Sequence, residues 1–289
     1  MTRVAAIDLG TNATRLLVAD VEGGDVVELV RRTRITRLGE GVDSRRRLLP
    51  LPMARVRNAL TDYRREAEEL GAGPILAVAT SAVRDAENGE AFLGEIEWSY
   101  GFETRLLSGD EEAALTLLGV GPLEPGTLVT DIGGGSTELV SPGFSRSIDI
   151  GSVRLTERFG SDLDAAADAI RAGLPMPPAP VRLLLGVDGT TAELAALRGT
   201  ARLTPADVEH ELSRLAAASD AERRELLLEP DRSDLIVMGA LILRELLRTL
   251  GAGQVEAWPR DLLSGAVLEA AAIETPGEGP APAGAYTCC

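Results

Sequence analysis

The chain has 289 residues, 45% hydrophobic and 26% charged, enough for two ordinary domains each with its own core. Its formal net charge of −16 argues against sequence-independent binding to nucleic acid or an anionic membrane, and any polyanionic ligand must be held by local donors and metal ions against the global field. All 29 basic residues are arginine, which excludes a P-loop lysine, a Schiff-base lysine and a kinase lysine.

The predicted elements begin with a buried strand, Val4 to Ile7, which enters the polar turn Asp8-Leu9-Gly10-Thr11-Asn12 and resumes at Leu16 to Ala19. Val26 to Val30 and Arg34 to Leu38 read as two further strands. Met53, Val56, Leu60, Tyr63, Ala67 and Leu70 recur at helical spacing, and Gly71 and Pro74 end that helix. Ile75 to Ala79 is a short buried strand leading into Thr80-Ser81-Ala82-Val83-Arg84, and Glu103 to Leu107 is another, with Ser108 opening the next helix. The Pro- and Gly-rich stretch Gly119 to Gly126 reads as a seam after which the pattern restarts. Beyond it, Leu128 to Asp131, Leu139-Val140, Ser145 to Ile150 and Arg182 to Val187 read as strands, and Leu235 to Leu250 as an apolar helix. The expected division is therefore 1–118, 119–273 and a disordered tail, 274–289, rich in Pro, Gly and Ala.

The single histidine, His210, lies in the polar helical stretch Pro205 to Leu215 and is read as a surface residue, with no nucleophile elbow to accompany it. The two cysteines, Cys288 and Cys289, offer neither a zinc site nor a disulfide framework. The cysteine-free body suits a reducing cytoplasm. Met1 to Val4 enters a strand pattern with no signal peptide in view, and the longest apolar run, Leu235 to Leu243, is too short to cross a bilayer. A cytoplasmic protein without membrane or nucleic-acid partners is expected; a homodimer is compatible with the sequence and not specified by it.

The most informative feature is an internal repeat. Asp8 to Leu16 and Asp131 to Leu139 share the template Asp-[Leu/Ile]-Gly-x-x-x-Thr-x-Leu, 123 positions apart, with the seam between them. Two copies of one domain facing each other across a cleft would produce this. A glycine-rich turn between strands lets backbone N–H groups converge on an anion, and the aspartate opening each turn, Asp8 or Asp131, suits a hydrated Mg²⁺ bridging to phosphate oxygens. Each turn taken alone is equally an ordinary hairpin; the pairing favours the phosphate reading.

Ser108 and Glu111 fit a helix capping box, and Asp110 and Glu111 are explained by the helix N-terminus. Glu112 is the carboxylate left over for chemistry. The helix N-terminus should depress its pKa, and bound polyphosphate should raise it again by like-charge repulsion. Arg84, at the C-terminal end of a strand, is placed to meet phosphate. Gly186-Val187-Asp188-Gly189-Thr190 either closes over phosphate or a nucleoside or is a plain strand–helix turn.

Together these segments resemble the exopolyphosphatase / guanosine pentaphosphate phosphohydrolase (Ppx/GppA) family, over about Val4 to Leu268. Ser108-Gly109-x-Glu111-Glu112-Ala113 and Asp131 to Leu139 carry most of the likeness, supported by Asp8 to Asn12, Thr80 to Arg84 with Asn88, Gly151 to Glu157 and Gly186 to Thr190. The resemblance implies an α/β fold of two duplicated ribonuclease H-like domains of the actin/hexokinase/Hsp70 type. It implies Glu112 as the general base, Asp131 and Glu138 as metal- and water-positioning carboxylates, and Thr11, Asn12, Arg84, Gly133, Gly134, Gly135, Ser136, Gly189 and Thr190 at or near phosphate. The implied reaction is in-line attack of water on the end phosphate of inorganic polyphosphate, aided by Mg²⁺.

Ala13 stands where the family usually has a hydroxyl, Trp258 to Gly265 is a loose match to a glycine-rich helix start, and the short two-domain form, without the C-terminal helical domains of longer members, is expected. The last point bears on long-chain processivity and on guanosine pentaphosphate as substrate. Alternatives to an exopolyphosphatase are a guanosine pentaphosphate phosphohydrolase, an actin-like-fold kinase or ATPase, and a non-catalytic polyphosphate or nucleotide sensor.

Overall fold

The structure, a computed structural model, describes residues 1–273. The expected tail, 274–289, lies outside the described residues. Strands β1 (Thr2–Leu9), β2 (Ala13–Glu22) and β3 (Asp25–Ile35) form an antiparallel meander. Helices α1 (Val42–Arg45) and α2 (Pro50–Glu69) lead to β4 (Ile75–Ala79), and α3 (Ser81–Arg84) and α4 (Gly89–Tyr100) lead to β5 (Glu103–Leu106). Because β4 and β5 join β1 in parallel, the sheet order is β3-β2-β1-β4-β5.

Helix α5 (Gly109–Val120) then crosses to a second sheet. There β6 (Thr127–Ile132), β7 (Thr137–Ser141) and β8 (Phe144–Ile148) repeat the meander. Helices α6 (Ser152–Phe159) and α7 (Leu163–Gly173) precede β9 (Leu183–Gly186), and α8 (Gly189–Arg198) precedes β10 (Arg202–Leu203). Helices α9 (Pro205–Ala217), α10 (Asp220–Leu226) and α11 (Ile236–Leu250) follow, a 3₁₀ turn at Pro230–Arg232 separating the last two; β11 (Val255–Ala257) and α12 (Leu262–Ala270) complete the described chain. The second sheet runs β10-β11-β9-β6-β7-β8, so apart from the added edge strand β10 it repeats the first. The internal repeat thus reflects two copies of one ribonuclease H-like topology, the arrangement of the actin, hexokinase and Hsp70 type.

Strand β1 is apolar without alternation because both its faces are covered. Ala5, Ile7 and Leu9 pack with α2 and α4 residues such as Leu60 and Phe92, while Val4 and Ala6 pack with Leu263, Ala266 and Val267 of α12. In the second domain Val129, Val140 and Leu185 pack against Ala113 and Val120 of α5. The opposite face of that sheet, including Leu128, Leu139 and Leu184, joins a core reaching into α6 to α9 and α11. Helices α5 and α12 therefore lie between the sheets.

Three expectations need correction. The stretch 26–38, expected to hold two strands, holds one, β3, which ends at Ile35; Thr36 and Arg37 turn away because both their N–H groups donate to Asn12 O, at 3.0 and 2.8 Å, with Arg37 in the left-handed region at φ 52°. Gly119 does not open a seam. It lies inside α5, where a Cβ would sit 2.1 Å from Asp261 O and 2.6 Å from Gly265 N, so the glycine permits the α5–α12 crossing. The boundary at 118/119 accordingly falls within a helix, and α12, assigned to 119–273, packs on the first sheet.

Candidate active site

The turns of the two repeated hairpins meet between the sheets. A Cβ on Gly134 would lie 2.9 Å from Thr11 Cβ, and one on Gly135 would lie 2.4 Å from Ser81 Oγ, so glycine is needed for this approach. Thr11 Oγ1 and Ser81 Oγ are 2.8 Å apart and hydrogen-bonded. The turn carbonyls face outward: Asn12 O accepts from Thr36 and Arg37, Thr11 O from Gly39 at 2.8 Å, Gly133 O from Ser152 at 3.0 Å, and Gly134 O from Val153 and Arg154 at 2.9 and 3.1 Å. Among the described residues the N–H groups of Thr11, Asn12, Gly134 and Gly135 have no backbone acceptor. Turned carbonyls with unpaired amides make an anion-binding concavity. The Asn12 side chain is buried and neither its Oδ1 nor its Nδ2 has a partner, a condition costing about 1–3 kcal/mol per group without a polar ligand.

Carboxylates surround these donors. Asp8 and Arg15 stand opposite one another on β1 and β2, and Arg15 Nε and Nη2 lie 2.9 and 2.8 Å from Asp8 Oδ2. Asp8 Oδ1 is buried with no partner. Arg15 Nη1 also reaches Asp261 Oδ2, the N-cap side chain of α12, at 2.7 Å. In the second hairpin the corresponding opposed pair is Asp131 and Glu138, with Ser147 Oγ donating to Glu138 Oε1 at 2.7 Å. Glu112 enters from the first turn of α5, its Oε2 3.3 Å from Arg84 Nη1. The capping box of Ser108 and Glu111 is present, so Glu112 is the carboxylate of that turn left to face the cavity.

The electrostatics follow from burial. Burial, then the nearby Glu138 charge, pushes the Glu112 carboxyl well above the usual carboxylate range, against the opposing pull of Arg84. This reverses the expected depression: desolvation outweighs the helix N-terminus before any phosphate is bound. Burial likewise raises Asp131 well above its usual range, with Arg15 pulling it back, and raises Asp8 and Asp188. Glu138 is pushed up to about 7 by burial, moderated by hydrogen bonds from Ser147 and Ser136.

These groups line one cavity of about 80 Å³ between the domains. Of the expected site residues, Asp8, Thr11, Asn12, Glu112, Asp131, Gly133, Gly134, Ser136, Glu138 and Gly189 line it. Three lie elsewhere. Arg84 sits behind Glu112, donating to Leu107 O at 2.7 Å. Gly135 lies against Ser81 and Thr11 and lines a smaller adjoining cavity. Thr190 is buried under Gly239, where a Cβ would meet Thr190 Oγ1 at 2.4 Å.

The sequence reading missed Arg15, Ser81, Ser152, Asp188 and Arg232, which also line the cavity. Arg15 had a signal, since a hairpin pairs it with Asp8. Asp188 had one too, as an N-cap whose side chain accepts from Thr191 N at 2.8 Å. Arg232, which lies over Gly189 from the 3₁₀ turn, had none. His210 is exposed on α9 and outside the cavity, as expected.

The residues fit Mg²⁺ bound partly through water. Among the described residues no three His, Cys, Asp or Glu side chains form a complete metal cage. The orphaned Asp8 Oδ1 and the buried Asp131 are nevertheless two cavity carboxylates that could hold Mg²⁺, which uses one or two when phosphate and water complete its shell. No helix among the described residues is long and apolar enough to cross a membrane.

A family model described as the Ppx/GppA phosphatase family matches residues 17–271. The chain is 35% identical to exopolyphosphatase 2 of Mycobacterium tuberculosis, over 94% of this chain and 99% of that protein. It superposes on a crystal structure of an exopolyphosphatase-like protein with a TM-score of 0.84 at 31% identity, covering 93% of this chain and 97% of the other. For the Aquifex aeolicus PPX-GPPA enzyme the values are 0.74 and 26%, with coverage of 93% and 99%. The family match over most of the chain and the likeness to relatives along nearly their full length make the chain a hydrolase belonging to the Ppx/GppA phosphatase family.

Proposed function

We propose that the chain removes the terminal phosphate of inorganic polyphosphate by attack of water on the end phosphorus. The observation carrying this reading is the meeting of two outward-turned hairpins, with unpaired amides and an unsatisfied Asn12, beside the buried Glu112. The amides of Thr11, Asn12 and Gly134 would grip the end of the chain, and Glu112 would take the proton of the attacking water, its raised pKa making it a stronger base than an exposed carboxylate. Arg84, anchored by donating to Leu107 O, would orient Glu112 by donating to its Oε2 as well. Glu138, opposite Asp131, would position the water. Mg²⁺ on Asp131 and Asp8, when bound, supplies neutralisation of phosphate charge. The loose transition state of phosphoryl transfer needs such charge stabilisation more than covalent help. None of the residues lining the cavity is aromatic, which favours an inorganic chain over a stacked nucleobase.

The test is phosphate release with Mg²⁺ from short polyphosphate, long polyphosphate and guanosine pentaphosphate, with Glu112→Gln as control. Release from polyphosphate that the variant lacks supports the proposal. Release from guanosine pentaphosphate alone replaces the substrate, and polyphosphate binding without release makes the chain a sensor.

A further inference from the structure

Besides the shared helices α5 and α12, an arginine that the reaction described above does not use joins the domains. Arg154, in the first turn of α6, is 8% exposed. Its Nε donates to Gly135 O at 2.6 Å, its Nη1 to Asp43 Oδ1 at 2.5 Å and its Nη2 to Asp85 Oδ2 at 2.5 Å. Gly135 belongs to the phosphate turn of the second domain, whereas Asp43 and Asp85 belong to the first. Asp43 also accepts from Arg158 Nε at 2.6 Å, and Glu157 of the same helix accepts from Gly41 N at 2.8 Å. The segment carrying Gly41 and Asp43 is tied to the first phosphate turn through the Gly39 N–H, which donates to Thr11 O.

We propose that Arg154 is a positioning residue: its guanidinium turns the Gly135 carbonyl away from the cavity and locks the two phosphate turns into mutual register. A planar fork with fixed donor directions can serve a carbonyl and two carboxylates together, whereas lysine offers one compact charge on a flexible stem. The carbonyls of Gly133 and Gly134 are already taken by the first amides of α6. Arg154 completes the set, so the unpaired amides of the turn face the substrate. The same contacts bind the turn to the opposite domain, so the phosphate grip exists in full only when the cleft is closed. The charge arrangement supports this: near complete burial of Arg154 is offset by two carboxylates supplied from across the cleft.

This inference rests on the polyphosphate reading of the cavity, and its test has an arm that does not. Arg154→Lys and Asp85→Asn are compared with the wild type in phosphate release and in hydrogen exchange of peptides covering 39–43 and 150–155. Misaligned turns should lower kcat by about 10- to 100-fold, with KM changing less. Loss of charged hydrogen bonds should raise exchange in both peptides together by about 10- to 100-fold, with α5 unaffected. Asp85→Asn, at a partly exposed position, supplies the answer if the lysine variant fails to fold. Unchanged kcat with unchanged exchange in a folded variant overturns the proposal, as does exchange that rises in only one of the two peptides. If the wild type releases no phosphate from any compound, the substrate reading fails and the exchange arm decides the role of Arg154.

Discussion

The two hairpins share a backbone and differ in charge. Each opens with an aspartate, turns through glycine, directs its carbonyls outward and faces a residue seven positions on across the ladder. In the first hairpin that residue is Arg15, which neutralises Asp8 and anchors α12 through Asp261. In the second it is Glu138, so like charges face each other, and burial lifts both Asp131 and Glu138. The two copies share the backbone features suited to gripping an anion and differ in charge: the first is settled by an ion pair, although burial still raises Asp8, and the second keeps two facing carboxylates, poised for the proton chemistry proposed above.

Substitutions on the poised side should have the largest effect. Glu112→Gln and Glu138→Gln are each expected to lower kcat by about 10²–10⁴-fold while leaving the fold intact, measured by phosphate release alongside circular dichroism. On the settled side, Arg15→Gln should act on stability, because Asp8 and Asp261 lose their shared partner; urea unfolding should show a loss of about 3–5 kcal/mol. If Arg15→Gln cuts kcat as deeply as Glu112→Gln without destabilising the fold, the division of labour between the hairpins is wrong.

The pH dependence sharpens the contrast. Glu138 is raised in the folded state from its ordinary 4.5 to about 7. Between these values the folded protein keeps a proton that the unfolded chain has released, so stability falls as pH rises through the window. Thermal melts of wild type and Glu138→Gln should show that this fall is shallower in the variant, and parallel curves would refute it. Activity should move the other way, rising with pH as Glu112, the proposed base, ionises, with an acid limb above the usual carboxylate range.

The smallest effect is expected at the element the two halves share. Gly119→Ala places a methyl group against the backbone of α12 and should cost about 1–3 kcal/mol in urea unfolding, with little change in KM.

Much of the site was legible because it is local. A hairpin displays its turn residues in sequence, so Thr11, Asn12, Gly133, Gly134 and Ser136 could be found by motif, and the Ser108–Glu111 capping box singled out Glu112 by elimination. Arg84 was legible as an arginine shortly after a strand, but its direction was not, because Leu107 O, just beyond β5, and Glu112 of α5 meet it from distant parts of the chain. Thr190 was misplaced for a similar reason: Gly239 of α11, forty-nine positions away, leaves the space its side chain fills.

By itself the sequence determined the duplicated topology, through its repeated Asp-x-Gly turns and apolar strands, and determined that no lysine-based phosphate chemistry was open to this chain. Only the tertiary structure decided which charges settle and which stay poised. That depends on burial and on partners brought from distant parts of the chain: Asp261 to Arg15, Glu112 to Glu138, and Asp43 and Asp85 to Arg154. A carboxylate's proton affinity is set by the water it loses and the charges it meets, and neither is fixed until the two domains close on each other.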